Sequence, residues 1–203
     1  FGELPSAGVR TVWADPGDLA SKAGGEQFDV VVDNNGKDLA SVGPVADYAV
    51  NANASQFFFV SSAGMYVPTA TPPHLEGDAV KESAGHNAVE QMLASKPFKY
   101  SSFRPQYFTG YGNNKDCEEW FFDRLVRGRP VPVPGSGDQL SVVAHAEDVA
   151  TMMAAAVGND AAAGQVFNAV TNRAVTLNGM VEICAKAAGV TPTIVNYDVN
   201  DMP

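Results

Sequence analysis

The sequence predicts an α/β fold built on a doubly wound parallel sheet, and three observations predict it. Short apolar runs alternate with longer segments of helical spacing. Two of the runs, FDVVV and QFFFV, are apolar at consecutive positions, which suits strands covered on both faces. Each strand candidate then ends in a polar cluster, DNNG, SSAG or RPQYFTGYG. Ligands of open parallel sheets bind beyond the carboxyl ends of the strands, so these three clusters are expected to line one crevice.

Taken in order, strands are predicted at Thr11 to Ala14, Phe28 to Val32, Gln56 to Ser61 and Tyr100 to Arg104, each followed by a helical segment. The helix after QFFFV includes DAVKESAGHNAVEQML, and on that helix Glu82 and His86 are expected four residues apart on one face. The character changes after Gly112. A helix from about Glu118 to Arg127 precedes PVPVPGSGDQL, whose prolines and glycines punctuate short extended pieces. HAEDVATMMAAAV carries Val149, Met152, Met153 and Val157 at helical spacing, and GQVFNAV reads as a short strand. TLNGMVEICAKAAG reads as a helix opened by Thr176 and closed near Gly189. Residues 1–112 are therefore read as the core and 113–203 as a smaller α/β lobe interleaved with it.

The 203 residues, 45% of them hydrophobic, suffice for one well-buried core or most of a larger one. A net charge of -10 excludes a protein that coats nucleic acid by bulk electrostatics, so any such contact must be local. Cys117 and Cys184 are too far apart in sequence for a C-x-x-C motif and suggest neither a disulfide framework nor a zinc site. No apolar run approaches the roughly 18 residues of a membrane span, so no membrane association is expected. Opening on FGELPSAG without Met, the sequence reads as a mature chain or a fragment.

In order and spacing, FDVVVDNNG, FFFVSSAGMY, SSFRPQYFTGYG, FFDRLVRGRPVPVPGSGDQL and HAEDVA resemble the extended short-chain dehydrogenase/reductase superfamily of sugar-nucleotide epimerases and dehydratases. More narrowly, SSAGMYVPTATPPHLEGDAVKESAGH with GNNKDCEEWFFDRLVRGRPVPVPGSG is similar to the chloroplast stem-loop-binding proteins, in particular their ribosome-associated, endoribonuclease-like member. The first resemblance implies a Rossmann-like fold with a glycine-rich phosphate loop after its first strand. Neither SAGVR nor KAGGEQF has the spacing of that loop, so the first strands are expected to be missing from this chain and NAD(P) is a doubtful ligand. The second resemblance implies an RNA-binding protein of the chloroplast stroma. It also implies association with plastid ribosomes, RNA processing, a homo- or hetero-oligomer with a paralogue, and cleavage of stem-loop RNA with a divalent ion such as Mg²⁺.

Active members of the superfamily use a Tyr four residues before a Lys. Aligned on NAVEQML, those positions hold Glu82 and His86. A carboxylate near pKa 4.3 does not replace a phenol near 10 as the acid of carbonyl reduction, so ordinary redox turnover is not expected. Either Glu82 and His86 form a new acid/base pair, or His86 fills the old lysine socket while Glu82 faces water. Ser62 either holds a ribose or sugar hydroxyl, or caps the strand-to-loop turn with Ser61 while Tyr66 packs over the loop. Metal-assisted cleavage needs carboxylates. Asp33 at the end of FDVVV and Asp15 after TVWA are the candidates, whereas Asp29, about 13 Å away at the strand's other end, is assigned to structure.

In nucleotide-binding relatives the position of Asp15 or Asp18 contacts adenine, and Asn34 and Asn35 join them as cofactor candidates. DNNG reads equally as a turn with Asn and Gly at positive φ. For RNA, Lys115, Arg124, Arg127 and Arg129 are the phosphate candidates, Arg124 and Arg127 sharing a helix face. The interleaved Phe98, Tyr100, Trp120, Phe121 and Phe122 suit either base stacking or the core. Sugar-nucleotide enzymes carry an Arg near the position of Ser141, and its absence counts further against that chemistry.

Overall fold

The computed structural model describes residues 8–112 and 117–201 of the chain. A 3₁₀ turn at Pro16–Asp18 leads into α1 (Leu19–Ala23). β1 (Val30–Asp33) is followed by α2 (Leu39–Asn51), which Asp38 opens by accepting the Ser41 N–H while Ser41 reaches back, a capping box. β2 (Gln56–Val60), α3 (Gly85–Ala94), β3 (Lys99–Phe103) and β4 (Tyr107–Thr109) come next. Then come α4 (Glu118–Val126), β5 (Val131–Pro134), β6 (Leu140–Ser141), β7 (Val143–His145) and α5 (Ala146–Ala156). β8 (Gln165–Phe167), β9 (Val175–Thr176), α6 (Leu177–Ala188) and β10 (Ile194–Tyr197) complete the order. Thr176 caps α6 by accepting the Gly179 N–H, and Gly189 closes it at φ 69°, both as predicted.

Among the described residues the chain divides into two compact units. The first runs up to Arg104 and takes back Met153–Asn168; the second holds Pro105–Met152 and everything from Ala169 on. The first unit carries a four-stranded sheet in the order β1-β2-β3-β8, every pair parallel. α2 and α3 cover one face of it, with Val42, Ala46, Ala49, Val89 and Leu93 packed around Phe57 and Phe59. The other face is aromatic: Phe58 meets Phe103 edge-on at 5.7 Å, and Phe103 stacks on Phe167 at 5.5 Å. Consecutive Phe57, Phe58 and Phe59 are each 0–1% exposed because alternate side chains point to opposite covered faces. Each contributes about 1.5–3 kcal/mol by burial.

The predicted strand at Thr11 to Ala14 is not formed: residues 9–15 have no regular secondary structure, and Val12 is 43% exposed. A β-branched composition only lowers the cost of extension, whereas a strand needs a neighbour's N–H and C=O groups. β1 is the edge of this sheet, and no described strand lies beyond it.

The second unit has its own core of Leu125, Val131, Val133, Val181, Cys184 and Ala185, where α4 and α6 pack with β5. β5 pairs with β10 and β4 with β7 in parallel, while β6 and β9 run antiparallel. No described helix is long and apolar enough to cross a membrane.

Candidate functional site

Because the four strands of the first unit are parallel, their carboxyl ends bring Asp33, Ser61, Ser62, Arg104 and Asn168 to one end of the sheet. The dominant feature there escaped the sequence reading. Arg104, 5% exposed directly after β3, donates from Nε to Glu90 Oε1 at 3.1 Å and from Nη2 to Glu90 Oε2 at 2.6 Å. Its Nη1 donates to the Tyr66 hydroxyl at 2.8 Å and to the Glu76 carbonyl at 3.1 Å. The Tyr66 O–H donates to Asn168 Oδ1 at 2.7 Å, and Asn168 Nδ2 donates to the His74 carbonyl at 3.0 Å. His74 stacks on the Tyr66 ring at 4.7 Å and 7°, with Asp78 Oδ2 3.2 Å from its Nδ1.

This network pins the loop between Tyr66 and Lys81 to the end of the sheet. Burial alone would lower the Arg104 pKa, but the hydrogen bonds and charge of Glu90, with those of Tyr66, more than offset it and hold the guanidinium above its ordinary value. A sequence signal existed. Glu90 sits between Val89 and Leu93 on the inward face of α3, where a charge requires a partner.

α3 starts later than predicted, and this corrects the Glu82 and His86 reading. Val80 bridges Tyr66 in antiparallel fashion, with Val67 N–H on the Ala79 carbonyl and Lys81 N–H on the Met65 carbonyl, which keeps residues 79–81 extended. Glu82 then lies in an exposed turn outside the helix, so it shares no helical face with His86. The helix begins at Gly85, where a Cβ would overlap the Lys37 carbonyl. His86 packs against Phe59, ring centroids 5.9 Å apart, and Phe59 is the register partner of Asp33. Asp33 and His86 thus both belong to the α2/α3 face at the carboxyl end of the sheet. Burial pushes the His86 pKa below its ordinary value, against the opposing charges of Glu90 and Asp38, so the imidazole is neutral at pH 7.

Ser62 accepts the Gly64 N–H at 3.1 Å, and Ser61 donates to the Met65 sulfur at 3.8 Å, so both serines serve the turn as the structural alternative held. Asp33, 8% exposed, accepts the N–H groups of Asn35 and Gly36 at 3.1 and 2.7 Å. DNNG is therefore a turn closed by its aspartate, and neither asparagine nor Gly36 takes a positive φ. The next two N–H groups, of Lys37 and Asp38, go to Ser41 Oγ. With the N–H groups of residues 35–38 all engaged, this strand-to-helix turn is closed on itself. Asn34, Asn35, Asp15 and Asp18 are exposed, the last two around the Pro16–Asp18 turn. Asp15 and Asp33 are not joined into a metal site: among the described residues no group of three His, Cys, Asp or Glu is placed to hold a metal ion.

The proposed phosphate contacts lie in the second unit. Arg124 donates from Nε to the Pro130 carbonyl at 2.9 Å and lies over the Trp120 ring. Arg127 pairs with Asp123 at 2.7 Å, and Arg129 is exposed. Lys115 lies outside the described residues. Of the aromatic candidates, Phe98 and Tyr100 pack in the first core and Phe121 and Phe122 in the second, leaving Trp120 38% exposed.

Comparison with known proteins agrees with this geometry. The chain is 40% identical over 184 residues, 89% of its length, to "Chloroplast stem-loop binding protein of 41 kDa b, chloroplastic" of Arabidopsis thaliana, and it spans 48% of the length of that protein. The fold matches the dTDP-glucose 4,6-dehydratase DesIV of Streptomyces venezuelae, solved with NAD and DAU bound, at a TM-score of 0.74 and 15% identity. That match covers 91% of this chain and 64% of the dehydratase. The UDP-glucose 4-epimerase of Thermus thermophilus, in complex with NAD, matches at a TM-score of 0.68 and 17% identity, over 84% of this chain and 65% of the epimerase. At such identities the likeness is one of fold. Residues 33–169, from the carboxyl end of β1 to just past Asn168, match the NAD dependent epimerase/dehydratase family as a whole. The parallel sheet, the polar strand ends and that match together place this chain in the NAD dependent epimerase/dehydratase family.

Proposed function

We propose that this chain is a stem-loop RNA-binding member of its family, acting in the chloroplast stroma on ribosomal or messenger RNA and associating there with plastid ribosomes and a second copy or paralogue. The observation that carries this reading is the 40% identity, over 184 residues, to a protein named for chloroplast stem-loop binding. The site supports the loss of dehydrogenase chemistry. Glu82 stands off the helix, and the Tyr66 hydroxyl is committed on both sides, accepting from Arg104 and donating to Asn168. The test is binding of a labelled stem-loop RNA to the purified chain. Saturable binding that tightens as salt is lowered is expected, and no binding at 50 mM salt overturns the reading.

RNA cleavage is the second reading, and the neutral His86 beside the Asp33 end of β1 favours it. An unprotonated imidazole there accepts the proton of an RNA 2'-hydroxyl. The same labelled RNA separates the routes. Products ending in 2',3'-cyclic phosphate and formed in EDTA support the histidine. Products that need Mg²⁺ support a metal route, and intact RNA under both conditions removes cleavage altogether. Turnover of a sugar nucleotide with NAD(P) would instead restore the family's redox chemistry, and the NAD held by the solved relatives makes that titration worth running.

A further inference from the structure

We propose that the outer face of α4 is a stacking platform for an unpaired RNA nucleotide, built from Trp120 and Arg124, with Arg127 and Arg129 beside it for phosphate. The inference rests on the stem-loop reading above and selects the unpaired loop as the element recognised. At about 100° per residue, Trp120 and Arg124 lie about 40° apart on one face of α4. Arg127, which closes the helix, is held beside them by its ion pair with Asp123.

Trp120 is the aromatic this helix leaves outside: Phe121 and Phe122 pack against the second unit's core, whereas Trp120 is 38% exposed. Both layers of the platform are held before any ligand arrives. The Phe121 ring meets Trp120 at 5.0 Å and 88°, an edge contact that fixes the indole plane. The Arg124 guanidinium carbon lies 5.4 Å from the indole centroid, and its Nε is tied to the Pro130 carbonyl at 2.9 Å. Side chains already ordered lose less entropy when a base stacks on them.

The charges around the platform suit a short contact. Arg124, Arg127 and Arg129 face two acids, Glu119 and Asp123, while Glu118 is turned inward to accept the Gly110 N–H at 2.7 Å. Asp123 holds Arg127 in an exposed pair at 2.7 Å, and such pairs exchange readily for a phosphate. A chain of net charge -10 lacks the bulk positive charge that would draw a duplex backbone at long range. Stacking on a splayed base, with a few local cations, is the recognition left to it.

The test uses the whole chain with a stem-loop RNA, the same stem closed as a blunt duplex, and the loop sequence as a single strand. In a Trp13→Phe chain Trp120 is the remaining tryptophan, and its fluorescence should be quenched by the stem-loop and the single strand but not by the duplex. Trp120→Ala should weaken stem-loop binding by about 5- to 150-fold with an unchanged salt slope, and Trp120→Phe should recover most of the loss. Stem-loop binding that persists within twofold in Trp120→Ala, with no quenching of Trp120, overturns the platform and leaves the RNA-binding reading standing. Absence of binding by the unmodified chain overturns both. Quenching by the duplex as strong as by the stem-loop overturns the preference for unpaired bases.

Discussion

Replacing Glu90 by alanine should destabilise the chain by about 3–5 kcal/mol, the usual cost of stranding a buried charge. Arg104 and Glu90 have side chains 6% and 8% exposed and share two hydrogen bonds, so the substitution leaves two guanidinium donors without partners where water has little access. Against a stability of about 5–15 kcal/mol for a typical domain, the loss is a fifth or more. With a urea m-value near 2 kcal/mol per M, the unfolding midpoint should fall by about 1.5–2.5 M in a titration followed by circular dichroism. The double replacement Glu90→Leu with Arg104→Met removes both charges and should recover part of the loss, the remainder reflecting the Tyr66 hydroxyl and Glu76 carbonyl left without their Arg104 donor. Trypsin should cut the single variant faster after Lys81, since the loop from Tyr66 to Lys81 depends on Arg104 through Tyr66 and the Glu76 carbonyl. A midpoint shift below about 0.5 M for Glu90→Ala, or a double variant as unstable as the single one, would refute the argument.

Other outcomes follow from the same geometry. His86 is held below its ordinary value by burial, so the unfolded chain binds its proton first. Stability is therefore undiminished above about pH 6.5 and declines as pH falls through it. His86→Gln should lose that component, and urea midpoints at pH 7.5 and 5.5 that shift equally in both proteins would refute the assignment. Thr176→Ala removes the oxygen that accepts the Gly179 N–H at 2.9 Å and should cost about 1 kcal/mol, read as a lower melting temperature with α6 still formed. Replacing Arg124 and Arg127 together should lower the salt slope of stem-loop binding by about 1.4–1.8, and an unchanged slope would take α4 out of the interface.

The candidate site was legible in part. Asp33, Ser62 and the other strand ends could be placed from apolar runs that stop in polar clusters, because a parallel sheet sets all its carboxyl ends on one side. His86 was noticed for its position after the SSAGMY strand, and it does lie against the sheet, at Phe59. Its supposed partner was misplaced because periodicity cannot tell where a helix begins when a neighbouring strand competes for the same residues. Extension at Ala79 to Lys81 was decided by hydrogen bonds to Met65 and Val67, a dozen or more residues away. Trp120 illustrates the opposite limit: helical spacing leaves it, Phe121 and Phe122 open between core and stacking, and the packing of α4 places the two phenylalanines inside and Trp120 outside.

By itself the sequence determined what is local or periodic: an α/β chain, parallel strands at FDVVV and QFFFV of which the second is buried, and α6 with its Thr176 cap and Gly189 stop. These depend on side-chain alternation and on groups within one helical turn. Tertiary structure alone decided the network that joins Tyr66, His74, Glu76, Glu90, Arg104 and Asn168, whose hydrogen bonds span up to 102 residues of chain. It also decided that residues 9–15 would not be a strand. The physical reason is the same in both cases. A buried charge and an extended backbone are each satisfied by groups that come from elsewhere in the chain, and the identity of those groups is settled only when the sheet has closed around them.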